Sequence, residues 1–242
     1  MTTPDVGEQH PKNPPPSWVR QRLVASAPLM RRALGEFALI VCSVLVALWV
    51  NEWKGAQDRQ QSERTFLTSI HEALEADLSQ LNAALVEYRQ REGRMSTLLA
   101  RLDQGAPYTD SMRTLFGAAY GVNSVEINRA PYEALKALDL SLVQDEALCM
   151  ALSDLYERTY VEYEKNAAAD RSSILELRPY FLREFHDIRF IQSAVPNNPA
   201  AVLRDPYFRN LVDYRLTVFR ANKVAATAHA VDEVKKVLAL FK

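Results

Sequence analysis

Residues 37–50 read Phe-Ala-Leu-Ile-Val-Cys-Ser-Val-Leu-Val-Ala-Leu-Trp-Val, an uncharged run close to an otherwise polar N-terminus. A helix needs about 20 mostly apolar residues to cross a hydrocarbon core of ~30 Å. The run alone is shorter than that. Extended to Ala33–Trp53 it is long enough, and it then places Glu36 and Glu52 at the two interfaces, where a charge costs far less than at the bilayer centre. Trp49 and Trp53 fall where an interfacial aromatic belt is expected, and Arg31, Arg32 and Lys54 flank the segment. A helix of a soluble core rarely stays apolar on all its faces. A cleaved signal peptide would need a small-x-small pair after the run, where Ala47-Leu-Trp-Val-Asn-Glu-Trp53 places bulky residues instead. The residues after Arg31-Arg32 match a twin-arginine export signal poorly. The expectation is therefore an uncleaved transmembrane helix over 33–53, preceded by residues 1–32 and followed by an extramembrane domain over 54–242.

Arg20, Arg22, Arg31 and Arg32 lie on the N-terminal side of the span, against Lys54, Arg59 and Arg64 on the other. The bias is slight, and the doublet nearest the membrane favours an N-terminus inside the cytoplasm. That orientation implies a single-pass protein with a short cytoplasmic tail and its large domain outside the cytoplasm.

About 190 residues follow the anchor, enough for one compact domain with its own core. Glycine is scarce, with seven residues, while Ala, Leu, Glu, Arg and Gln are abundant, which favours helix. The 29 Lys and Arg nearly balance the 30 Asp and Glu, so no basic stripe marks a nucleic-acid binder. Cys42 lies within the anchor and Cys149 beyond it, which makes an internal disulfide implausible.

Pro4, Pro11, Pro14, Pro15 and Pro16 sit among polar neighbours and predict a disordered tail. Residues 17–32 mix apolar side chains with arginines, as in a basic stretch lying along a leaflet, and Pro28 is expected to interrupt it. From Trp53 to Pro107 no proline intervenes, and Phe66, Ile70, Leu74, Leu78, Leu81, Leu85, Tyr88, Met95, Leu99 and Leu102 form a helical stripe with one lapse at Glu92. Gly105 and Pro107 predict a turn, Asp110 a cap for a short helix over 111–120, and 121–129 the least helical stretch. Asn128 and Pro131 predict the start of another short helix. A second long helical segment is expected over 145–190, with a kink or break near Arg178 because Pro179 sits inside it. Residues 193–199 read as a loop, and Asp205-Pro206 as the start of a last helix that runs to the C-terminus. No strand pair and no internal repeat is evident. The fold class is all-α, an elongated antiparallel helical bundle framed by 54–103, 145–190 and 206–242.

Gly35-Glu36, the apolar run, Ala47-Leu48 and Asn51-Glu52-Trp53, together with Tyr132-Glu-Ala-Leu-Lys136, Leu140-Ser-Leu-Val143, Leu148 and Tyr156, resemble a bacterial single-pass membrane family of unknown function. After the lysine that family usually reads Ser-Ser-Gly, where this chain has Ala137-Leu138-Asp139. The resemblance implies an N-terminal anchor and a helical domain, and it carries no activity, substrate or cofactor.

No catalytic, cofactor-binding or metal-binding residue is expected. His71-Glu72 lacks the second histidine of H-E-x-x-H, so a solvated helix face is the simpler reading. His186-Asp187 are neighbours that point apart on a helix. Cys149 sits in an apolar stretch as a structural thiol. Tyr156, Tyr160 and Tyr163 suit packing against a neighbouring helix, with a ligand groove as the alternative. Ser43 and Ala47, with Gly35 on a related face, form a small-xxx-small pattern that would suit a homodimer. The functional expectation is a membrane-anchored, non-enzymatic interaction or scaffold protein of the cell envelope with an unknown protein partner. The alternative is a ligand-binding sensor that signals through a separate membrane partner. Fusing alkaline phosphatase to the C-terminus should give active enzyme; a silent phosphatase with a bright cytoplasmic reporter at the same place would reverse the topology.

Overall fold

The computed structural model describes residues 17–241, with side chains from 36 onward except 38. The expected disordered tail up to residue 16, and the side chains of the basic stretch 17–32, lie outside the described residues. The chain divides into two compact units, Met1–Arg59 and Gln60–Lys242.

The first helix, α1 (Ser17–Asp103), passes through Pro28 without the expected interruption. A proline removes only its own bond to the carbonyl four residues back, and the bonds on either side carry the helix on. Every described side chain from 36 to 54 is exposed. This part of α1 is long and apolar enough to cross a membrane by length and composition.

In the second unit α1 supplies a seven-residue pattern. Leu74, Leu81, Tyr88, Met95 and Leu102 fill one buried row. Ile70, Asp77, Arg91 and Leu98, all buried, occupy a second row at the same period. The lapse at Glu92 is therefore not a gap, because Arg91, wholly buried, stands in the core position beside it.

The remaining elements are α2 (Arg113–Ala119), α3 (Ala130–Leu138), α4 (Glu146–Asp154), α5 (Tyr160–Glu184), β1 (Phe185–Arg189), β2 (Ser193–Pro196), α6 (Pro199–Arg204), α7 (Pro206–Phe219) and α8 (Ala226–Leu238). The chain is thus predominantly helical. Residues 121–129 are irregular, as expected. Asp145 caps α4 by accepting the Leu148 N–H at 3.0 Å, and Asp205 caps α7 by accepting the Tyr207 N–H at 2.9 Å. Asn128 accepts the Ala130 N–H at 3.3 Å where α3 begins. Asp110 does not cap; it opens a 3-10 turn over Asp110–Met112 and pairs with Arg113 at 3.1 Å. Asp139, in extended backbone, accepts the Ser141 N–H at 2.8 Å, so the turn after Lys136 forms without glycine.

Two π-helical turns, Leu155–Thr159 and Arg220–Ala225, join α4 to α5 and α7 to α8. A π turn shifts the bonding ladder by one residue and disturbs the ordinary pairing of its carbonyls. The Tyr156 carbonyl accepts an outside donor there, Nη2 of Arg129.

Two expectations for 185–199 are corrected. The second long helical segment ends at Glu184 rather than Phe190, and Pro179 stays inside α5 without ending it. Residues 193–199 are not a loop: β1 and β2 pair antiparallel, with Phe185 opposite Pro196 and Arg189 opposite Ser193. The pairing is irregular between His186 and Arg189, where Asp187 has φ 49°, and Ile191 in the turn has φ 69°. The hairpin escapes a sequence reading because it lacks the Asn-Gly or Asp-Gly that marks tight turns.

The hairpin is held by close backbone packing on α2. A Cβ added at Gly117 would lie 2.2 Å from the Ser193 nitrogen and 2.5 Å from the Ser193 Cα. Backbone cannot rotate out of the way, so Gly117→Ala should destabilise the full-length protein by at least about 1–3 kcal/mol. Gly93→Ala is the control: nothing lies within 4 Å of its added Cβ, and the helix gains up to about 1 kcal/mol. Heat unfolding in non-ionic detergent, followed by circular dichroism, should lower the midpoint for the first variant and leave or raise it for the second.

Candidate functional site

The second unit contains two apolar clusters. One is rich in phenylalanine, with Phe116, Phe181, Phe185, Phe208 and Phe219 buried. The other gathers Ile70, Leu74, Leu152, Tyr156, Tyr160 and Val234. The three tyrosines set apart by the sequence are packed inside, at 0%, 0% and 3% exposure for Tyr156, Tyr160 and Tyr163. The Tyr160 hydroxyl donates to Asp77 at 3.3 Å, and Asp77 also accepts the Asn128 N–H at 3.2 Å. Burial pushes the Asp77 carboxyl above its ordinary range, against these two hydrogen bonds.

A cationic centre is the feature that sequence reasoning missed. Arg91 from α1, Arg215 from α7 and Lys223 from the second π turn are all buried, with Asp170 of α5 as the buried carboxylate among them. Arg215 Nη1 pairs with Asp170 and donates to Ser173 Oγ at 3.1 Å. Arg91 donates from Nε to the Ala118 carbonyl at 2.7 Å and from Nη2 to the Gly121 carbonyl at 2.5 Å. Arg215 Nη2 reaches the same Gly121 carbonyl at 3.4 Å. The guanidinium carbons of Arg91 and Arg215 stand 4.8 and 5.2 Å from the Phe219 ring centre, and Lys223 Nζ lies 5.4 Å from that of Tyr88. Arg91 Nη1 and Arg215 Nε are buried without a hydrogen-bond partner. Burial, reinforced by neighbouring arginines, pushes Lys223 down to about 8 and Arg91 down to about 9.

This centre fixes the segment 118–121, and that segment forms part of a surface groove. The Tyr120 carbonyl accepts the Ile191 N–H at 2.9 Å. The Tyr120 ring stacks on Phe181 at 4.5 Å and tilts against Phe190 at 5.4 Å. Gly121 has φ 140°, and a Cβ there would meet Ile191 Cγ1 at 2.8 Å. The groove, about 520 Å³, lies between α5 and the hairpin. One face of α5 supplies Arg171, Ile174, Leu175, Arg178 and Leu182; the hairpin supplies Ile188 and Phe190. Pro179 has no N–H to give the Leu175 carbonyl, so α5 loses one bond beside this strip.

Exposed apolar side chains scattered singly need no explanation, but a contiguous patch does. Val122, Leu175, Leu182 and Phe190 are exposed together in the groove, with Leu175, Leu182 and Phe190 at 60%, 62% and 63%. The turn that carries Phe190 holds a β-branched residue at positive φ, and such strain persists only where surrounding structure imposes it.

The other candidates disperse. His71 is 3.7 Å from Glu75 and edge-on to Phe241 at 5.1 Å. His186 pairs with Asn197 at 2.8 Å rather than with Asp187. Cys149 is half-buried, its thiol 3.7 Å from the Leu140 carbonyl. Among the described residues no three His, Cys, Asp or Glu side chains converge as metal ligands. No family model, curated protein or solved structure matches the chain.

The Lys223 ammonium is destabilised in the folded chain, and the sign of its pH effect follows. Below pH 8 both states carry the proton and the whole penalty is present. Between about 8 and the ordinary 10.5, the unfolded chain keeps a proton that the folded chain has shed, so stability rises with pH. The gap corresponds to about 3 kcal/mol. Lys223→Met should therefore raise the unfolding midpoint at pH 7 and flatten the rise between pH 8 and 9.5 relative to the parent protein.

Proposed function

We propose that this chain is a membrane-anchored, non-enzymatic interaction module of the bacterial cell envelope. Residues 33–53 lie in lipid, the N-terminus is cytoplasmic, and residues 54–242 fold in the periplasm as an antiparallel helical bundle. The anchor reading is supported by the uniform exposure of the apolar side chains from 37 to 50, 38 excepted. Ser43 suits the same setting, since its hydroxyl donates to the Ile40 carbonyl at 2.8 Å within the helix, and lipid offers no other partner. Contact of two anchors through Ser43 and Ala47 would give a homodimer. The resemblance of its anchor motifs to those of a bacterial single-pass family supports the same reading.

The observation that carries the interaction reading is the groove between α5 and the hairpin. It offers exposed apolar surface and cations, while its lining holds no nucleophile paired with a base. A groove of this composition suits binding of an apolar, anionic partner.

The sensor alternative draws on a different observation. Arg91 and Arg215 share the carbonyl of Gly121, and Gly121 lines the groove, so a ligand there would act directly on a buried charged centre.

The full-length protein should stay in the membrane pellet after carbonate washing. Extracted in mild detergent, it should carry a second protein at fixed stoichiometry. Recovery in the carbonate supernatant would remove the anchor, and a chain that runs alone would remove the interaction reading.

A further inference from the structure

We infer that the groove between α5 and the hairpin docks an acidic, apolar segment of a partner protein, with its carboxylates seated on Arg171 and Arg178. The inference rests on the interaction reading above and names the partner's chemistry.

The spacing sets the first requirement. Arg171, Ile174, Leu175, Arg178 and Leu182 recur at three- and four-residue intervals and present one face of α5. The strip they span is about 16 Å long at 1.5 Å per residue. Exposed helix faces with this pattern receive a second apolar element laid along them.

Charge sets the second requirement. Neither Arg171 nor Arg178 has an ion-pair partner among the described residues, and no carboxylate lines the groove. The two stand seven residues apart, about 10 Å along the helix axis. A partner helix with acids at i and i+7, which fall on one face, matches that interval. A single anionic headgroup offers one charge locus and leaves the other arginine unmet.

The interior adds to the same sign. Arg91, Arg215 and Lys223 outnumber Asp170, the carboxylate buried among them, and two of these cations meet at the carbonyl of Gly121 in the groove. Buried charge is screened far less than surface charge, so the groove presents a positive potential that favours an acidic partner.

A second copy of the chain does not meet these requirements. A two-fold contact across this face would set each arginine pair near its own counterpart, and opposed like charges cost several kcal/mol at an interface.

The test places the photo-crosslinking residue p-benzoylphenylalanine at Leu175 of the full-length protein, in the cells that make it. Met150, exposed but outside the groove, is the control position. The expected adduct from position 175 is with another protein, through a segment holding two or more Asp or Glu beside apolar residues. R171E with R178E should weaken it at least about tenfold, R171K with R178K should keep most of it, and helix content by circular dichroism should be the same in all. The inference is overturned by an adduct that is mainly lipid or a second copy, by an equal adduct from position 150, by one that survives charge reversal, or by none. If none forms while the intact protein still co-purifies with a partner in mild detergent, the groove is wrong and the interaction reading stands.

Discussion

A guanidinium shut away from water organises the second unit. Arg91 stands in a core row of α1, where the heptad spacing calls for an apolar side chain, and its donors end on the carbonyls of Ala118 and Gly121. An unpaired buried charge is far more costly than a paired one, so these carbonyls are not free to drift. They hold the end of α2 and the irregular stretch behind it at one place. From there the constraint passes outward: Tyr120 takes the Ile191 N–H, Gly117 admits the backbone of Ser193, and the hairpin is seated against α2.

The arrangement sacrifices stability for position. Two buried arginines and a buried lysine face one buried carboxylate, and two guanidinium nitrogens lack partners. Replacing such groups with apolar side chains often stabilises a protein. Apolar substitutes would pack, but they would not bond the 118 and 121 carbonyls. The aromatic rings of Phe219 and Tyr88 soften the cost by offering their faces to the cations. The product of this expense is a groove with defined walls, in which Phe190 and Leu175 stay exposed instead of collapsing into the core.

Part of this was legible from the residues. The cap at Asp205 forms where it was expected, and so does the irregular stretch 121–129. The groove was only touched at its edge, through Gly121 and Val122. The tyrosine face packs inside, as the helix-packing reading of Tyr156, Tyr160 and Tyr163 expects. The hairpin was read as a helix end followed by a loop, because its turn uses Phe190-Ile191-Gln192 and places a β-branched residue at positive φ.

The sequence by itself determined the apolar run at 37–50, the helical periodicity and the helix starts, since each depends on residues within a turn or two of one another. The tertiary structure alone decided that Arg91, Arg215 and Lys223 lie inside, that residues 185–196 fold back as a hairpin, and that α5 keeps one apolar face uncovered. Those outcomes depend on partners far away in the chain: Arg91 meets a carbonyl 27 residues on, and Arg215 meets Gly121 across 94. A charged side chain reads as surface until the groups that satisfy it are known, and only the folded chain brings those groups together.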